Sequence, residues 1–136
     1  MPTWAKVLLS LVAVVVVLLV ASGFFAYRWM MKNKDHFLTV RKEGVTFGTG
    51  KDFAQCTDAA LAKLGGGMTS QIEARLFAEG CLSVATRTPE VCEGAPSSSE
   101  IMKSATWTVD QCRKRGLLGQ QGCTQVFQAV AQACQR

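Results

Sequence analysis

The chain opens with an unbroken apolar run and then changes rhythm twice. Positions 7–27 hold 21 residues without a charge, including VAVVVVLL at 12–19. A hydrocarbon core ~30 Å thick needs about 20 apolar residues in a helix rising ~1.5 Å per residue. The run meets that requirement, and in lipid even a valine-rich backbone must satisfy its own hydrogen bonds as a helix. Residues 37–47 (FLTVRKEGVTF) then give two short β-like runs, 37–40 and 45–47, on either side of Lys42-Glu43-Gly44. They predict a small hairpin or an extended linker.

Beyond Asp52 the spacing becomes helical. Residues 52–64 place Phe53, Cys56, Ala60, Leu61 and Leu64 on one face, and Gly65-Gly66-Gly67 ends that element. Ser70 with Glu73 predicts a capping box for a helix carrying Ile72, Leu76, Phe77, Cys81 and Val84. Thr88-Pro89-Glu90 opens a short turn around Cys92, since proline suits a first helical position. Ser97 with Glu100 predicts a second capping box, and the helix after it closes on Arg113-Lys114-Arg115 before Gly116. A last helix over 123–135 lines up Cys123, Val126, Phe127, Val130 and Cys134 in one stripe. The predicted fold is therefore all-α. A transmembrane anchor (1–31) precedes a basic juxtamembrane neck (32–51) and a cysteine-rich domain of about four helices (52–136). Gly80-Cys81 and Gly122-Cys123, each with a valine three residues on and a cysteine eleven residues on, form a faint internal echo.

The six cysteines are Cys56, Cys81, Cys92, Cys112, Cys123 and Cys134, and no two are closer than eleven residues. That spacing excludes a CxxC redox centre, a haem attachment site and a zinc knuckle. Eleven residues along a helix span ~16 Å, whereas a disulfide needs Cα atoms within ~7 Å, so Cys123 and Cys134 cannot pair within one helix. Residues flanking a hairpin turn come level. This favours Cys56–Cys81 across the triple glycine, Cys112–Cys123 beside the 116–122 turn, and Cys92–Cys134 closing the open end. The competing reading is six reduced cysteines buried as small hydrophobes.

Charge changes the picture only once it is located. From Asp52 onward eight basic residues balance eight acidic ones, so the excess of +5 lies before the domain. Arg28, Lys32, Lys34, Arg41, Lys42 and Lys51 supply most of it. A nucleic-acid partner would require the charge on the folded domain and is not expected. Membrane lipid is the expected partner of the neck, with Trp4, Tyr27, Arg28, Trp29, Lys32 and Lys34 at the interface. The alternative reading of the N-terminus is a signal peptide cleaved near Ala21-Ser22-Gly23. Against it, the apolar stretch runs on through Phe24, Phe25, Ala26 and Tyr27. Orientation is a conflict between two rules. Basic residues after the span favour a cytoplasmic C-terminus, while six cysteines in a small domain favour an oxidising compartment. The cysteines, which have no other evident purpose, decide for an extracytoplasmic domain.

Catalytic chemistry is thinly represented. The only histidine, His36, lies in the neck, so a Ser/Cys–His arrangement has no base in the domain. Glu90 and Glu93 resemble exposed helix-end carboxylates more than an acid/base pair. Gly48-Thr49-Gly50-Lys51 lacks the earlier glycine and following Ser or Thr of a phosphate loop. No catalytic, cofactor or metal residue is assigned. Six cysteines among about 80 helical residues resemble saposin-like and helical lipid-transfer domains in composition. The CxxC pair of the first and the adjacent cysteines of the second are missing. The gaps also differ from twin Cx9C hairpins, one of them containing Gly116, Gly119 and Gly122. The expected function is a membrane-anchored interaction module, an accessory or scaffolding subunit docking onto another protein, with Trp107 as a candidate contact. Binding of a lipid or other hydrophobic ligand is the alternative.

Overall fold

The computed structural model describes all residues, Met1 to Arg136. It contains six helices and no strand: α1 (Thr3–Gly48), α2 (Phe53–Ala62), α3 (Met68–Leu82), α4 (Pro89–Cys92), α5 (Ile101–Lys114) and α6 (Cys123–Cys134). Two compact units divide the chain, Met1–His36 and Phe37–Arg136.

The first unit is the N-terminal part of α1. Its valines and leucines stand exposed, and by length and composition this helix can cross a membrane. Ser22 donates from its hydroxyl to the Leu19 carbonyl at 3.0 Å, so the small triplet at 21–23 lies inside the helix.

The second unit begins at Phe37, ahead of the boundary expected at Asp52. Residues 37–47 are neither hairpin nor linker but the last turns of α1. Thr46 and Thr49 turn their hydroxyls back to the carbonyls of Lys42 and Val45, the habit of β-branched polar residues in a helix. The cause is tertiary. Val40, Gly44 and Gly48 recur every four residues and are the buried positions of α1. A Cβ built on Gly44 would strike the Phe77 carbonyl oxygen, and one on Gly48 the Cys81 carbonyl oxygen. Reciprocally, a Cβ on Gly80 would strike the Arg41 carbonyl oxygen. The backbones of α1 and α3 thus touch directly, and such packing overrides the local β preference of valine, threonine and phenylalanine.

Local caps fix the remaining helices. Asp52 caps α2 by accepting the Gln55 amide at 2.8 Å, and the Gln55 side chain accepts the Asp52 amide at 3.1 Å. The same corner is tied down by hydrogen bonds from Phe53 N–H to the Thr86 carbonyl and from Thr86 N–H to the Lys51 carbonyl, both 2.9 Å. The box expected from Ser70 and Glu73 does not form. Helix α3 starts earlier, at Met68, and the Ser70 hydroxyl clasps the glycine turn, donating to Gly67 O and accepting Gly65 N–H. At α5 half of the expected box survives. Glu100 accepts the Ser97 amide at 3.2 Å, but it occupies the cap position itself and the helix begins at Ile101.

Helix α6 is the hub, packing against α2, α3, α4 and α5. Its Val126, Phe127 and Val130 are fully buried and fill the core with Phe53, Ala60, Ala74 and Phe77. Three bridges staple the domain, Cys56–Cys81, Cys92–Cys134 and Cys112–Cys123, which are the pairs favoured from the sequence, and the last two hold α6. No cysteine is free. In the chain-entropy picture, loops of these lengths contribute about 3 to 4 kcal/mol each, comparable with a small domain's net stability. The internal echo has no structural counterpart: Gly80 lies inside α3, whereas Gly122 precedes α6 in a left-handed conformation.

The α1–α3 contact is open to a direct check. Gly44→Ala or Gly80→Ala should destabilise the domain by about 1–3 kcal/mol, a fall of at least about 4 °C in Tm. Gly66→Ala, where an added methyl meets nothing within 4 Å, should be near neutral. Thermal unfolding followed by circular dichroism distinguishes the three, and unchanged midpoints for both contact variants would refute the close approach.

Candidate functional site

Helix α5 packs with an unusual polarity. Its inward positions, at helical spacing, are Ser104, Trp107, Thr108, Gln111 and Cys112, all buried or half-buried. Three of the five are uncharged polar residues. The outward positions include Ile101, Met102, Ala105, Thr106 and Val109. Met102 is 82% exposed and Ile101 76%. Lys103, Arg113 and Lys114 face water as they would on any surface helix, but such a helix ordinarily buries its isoleucine and methionine and exposes its serine and threonine. The inversion is possible because the buried Thr108 hydroxyl donates to the Ala105 carbonyl at 2.9 Å, so its polar group is satisfied within the helix.

Trp107 joins the two faces. Its ring meets Phe127 of α6 edge-on, with centroids 5.9 Å apart, and its indole N–H donates to the Glu93 carbonyl at 3.2 Å. The expected contact residue is therefore first a half-buried packing residue. Its remaining edge lines a groove of about 800 Å³ with Gly94, Met102, Thr106 and Val109, and Lys103, Asp110 and Arg113 stand around it. Gly94 lies against the indole with no side chain to cover it.

The loop before α5 is held from both sides. Gln135 donates from Nε2 to the Pro96 carbonyl at 2.6 Å and accepts the Ser98 amide at 3.1 Å. Cys92 is bridged to Cys134 in the same region. The glutamines of the last helix thus divide: Gln128 and Gln132 are exposed, while Gln135 clasps this loop. A second groove, of about 720 Å³, lies at the triple glycine with Leu64, Met68, Gln71, Gln120 and Gln121 and has a more polar lining.

The core between the helices is filled by side chains, with Val126, Phe127 and Val130 completely enclosed, and the grooves lie at the surface. Glu90 and Glu93 are exposed. The side chains of His, Cys, Asp and Glu form no group of three placed to hold a metal ion. On α1, Tyr27, Arg28, Trp29 and Lys32 come together along one stretch with Phe24 and Phe25. Lys34 follows two residues beyond Lys32, and Trp4 lies some 25 residues before Trp29, ~37 Å along the helix. The inverted face of α5 escaped the sequence reading, although Ile101, Met102, Ala105 and Val109 already form a helical apolar stripe in the sequence.

Comparison adds no relative. No protein-family model, no curated protein and no solved structure matches the chain.

One charge at the start of α5 is perturbed. Hydrogen bonds from Lys103 and the Ser97 amide hold the Glu100 carboxyl below its usual 4.5, and Glu100 in turn raises Lys103. A lowered folded pKa contributes stability that is present above 4.5 and lost as pH falls through the folded value. The Ser97 amide should therefore keep its bonded NMR shift at pH 5 and lose it only below 4.5, and Glu100→Gln should abolish that step. A Ser97 shift that does not move with acid would contradict this arrangement.

Proposed function

We propose that this chain is a single-pass membrane protein whose extracytoplasmic helical domain docks another membrane or extracytoplasmic protein, as an accessory or scaffolding subunit. The observation that carries the reading is the inverted face of α5, with Met102 and Val109 outward, Thr108 inward, and the Trp107 edge between them. A small domain that hides hydroxyls and exposes methionine and isoleucine keeps an apolar surface that its own folding does not require. Tryptophan beside such a surface suits a binding hot spot. Support for the anchor comes from the 21-residue uncharged run and its exposed side chains. Support for the oxidising side comes from the bonding of all six cysteines in disulfides. The filled core favours this reading over a ligand-binding one.

Location is tested by thiol labelling in intact cells, with and without prior reduction, read by mass spectrometry. All six cysteines should resist labelling until reduced, and the mature mass should retain residues 1–27. Free labelling once the cytoplasm is opened would place the domain on the other side.

Docking is tested by placing a photo-crosslinking amino acid at Met102, at Val109 and, as a control, at Gln128 on the exposed side of α6. Both α5 positions should give the same discrete adduct, weakened at least tenfold by Thr106→Glu in the groove, while Gln128 gives none. Equal adducts from all three positions, or none from α5, would refute the interface.

A further inference from the structure

The polar end of the uncharged run has a defined lateral order. Arg28 is the first charge after position 27, so in an embedded helix it marks the level at which hydrocarbon ends. Phe24, Arg28 and Lys32 recur every four residues and stand in one row. The Arg28 guanidinium lies 5.9 Å from the centre of the Phe24 ring. Phe25, Tyr27 and Trp29 border the same row, and the groove they form measures about 660 Å³. From hydrocarbon outward the row thus reads aromatic, then cation, then a second cation one helical turn (~6 Å) further.

A phospholipid has the same order: acyl chain, then phosphodiester, then headgroup. We propose that this row is a binding site for an anionic phospholipid. The phosphodiester sits between Arg28 and Lys32, and the acyl chain lies along Phe24 and Phe25. The inference rests on reading α1 as a membrane anchor and adds the lipid class and the residues that select it. Arg28 supplies a planar fork of donors to the phosphate oxygens, and Lys32 supplies a point charge. A zwitterionic headgroup would bring its own cation against Lys32, whereas a glycerol headgroup brings only hydroxyls. Arg28, Lys32 and Lys34 against Asp35 leave residues 28–36 with a surplus of two positive charges. Lys34, two residues from Lys32, falls on the opposite side of the helix and outside the row.

That placement makes the site separable from diffuse attraction. The full chain is reconstituted in phosphatidylcholine vesicles carrying trace spin-labelled phosphatidylglycerol or spin-labelled phosphatidylcholine. The fraction of each label immobilised beside the protein is then compared. The anionic label should be preferred about fivefold or more, because Arg28 and Lys32 meet its phosphodiester directly while Lys34 stands off on the other side of the helix. Arg28→Gln with Lys32→Gln should bring the ratio close to one, and Lys34→Gln should retain most of it. A ratio near one for the unaltered chain overturns the proposal. So does an equal loss from Lys34→Gln and from Lys32→Gln, which would mean charge without a site. Alkaline washing of the same vesicles reads the anchor separately: release of the chain would refute the span itself, whereas retention without lipid preference refutes only the site.

Discussion

The backbone of α1 meets the backbone of α3 with no side chain between them, and this contact determines what residues 37–48 can be. Gly44, Gly48 and Gly80 each face a carbonyl oxygen or backbone atom of the other helix. A hairpin turning at Lys42-Glu43-Gly44 would put Val40 and Gly48 on opposite arms, whereas one helix sets Val40, Gly44 and Gly48 along a single face. Once α1 is helical to Gly48, the domain must begin before that contact, which is why the compact unit starts at Phe37. Cys81 sits at the same place: its amide and carbonyl face α1 and its sulfur is bonded to Cys56. The close approach and the disulfide therefore restrain α3 from two sides, and neither can shift without disturbing the other.

The cysteine pairing shows what a sequence can specify without an exact structure. Cys56 lies nine residues before Gly65 and Cys81 fourteen after Gly67, so the two are not level about the turn. Along their helices they lie ~9 Å from the end of α2 and ~20 Å from the start of α3. Residues 63–67, five in number and outside both helices, span the difference of ~10 Å comfortably. The partners were named from an equal-arm hairpin, a picture too simple for Cys56–Cys81, whose unequal arms the five-residue turn absorbs. At Cys112–Cys123 the geometry is closer to that picture, since Cys112 lies two residues from the end of α5 and Cys123 begins α6.

Other features were hidden for identifiable reasons. The Gly44–Gly48 pair was legible as small residues one helical turn apart, but valine, threonine and phenylalanine around it raise the local β preference. The Asp52–Gln55 box carried a cap signature as strong as Ser70–Glu73, yet only the first forms. A helix entering from three glycines has backbone freedom to start where the packing of Phe77 and Cys81 demands, which moved the start ahead of Ser70. Cap motifs mark where a helix can begin; tertiary contact chooses among them.

The polarity of α5 was the hardest feature to read, because periodicity reports that a helix has two faces and not which one is buried. By composition, Ile101, Met102, Ala105 and Val109 would be assigned to the core, and Ser104, Thr108 and Gln111 to water. Two constraints outside the helix reverse that choice. Cys112 must reach Cys123, and Trp107 must reach both Phe127 and the Glu93 carbonyl. Cys112 and Trp107 share a face with Thr108, so a covalent bond and an anchored indole together turn the threonine inward and Met102 outward. The apolar stripe is then a residue of folding rather than its cause. The bridges that hold the domain together leave α5 with a surface free to serve contacts beyond the domain's own core.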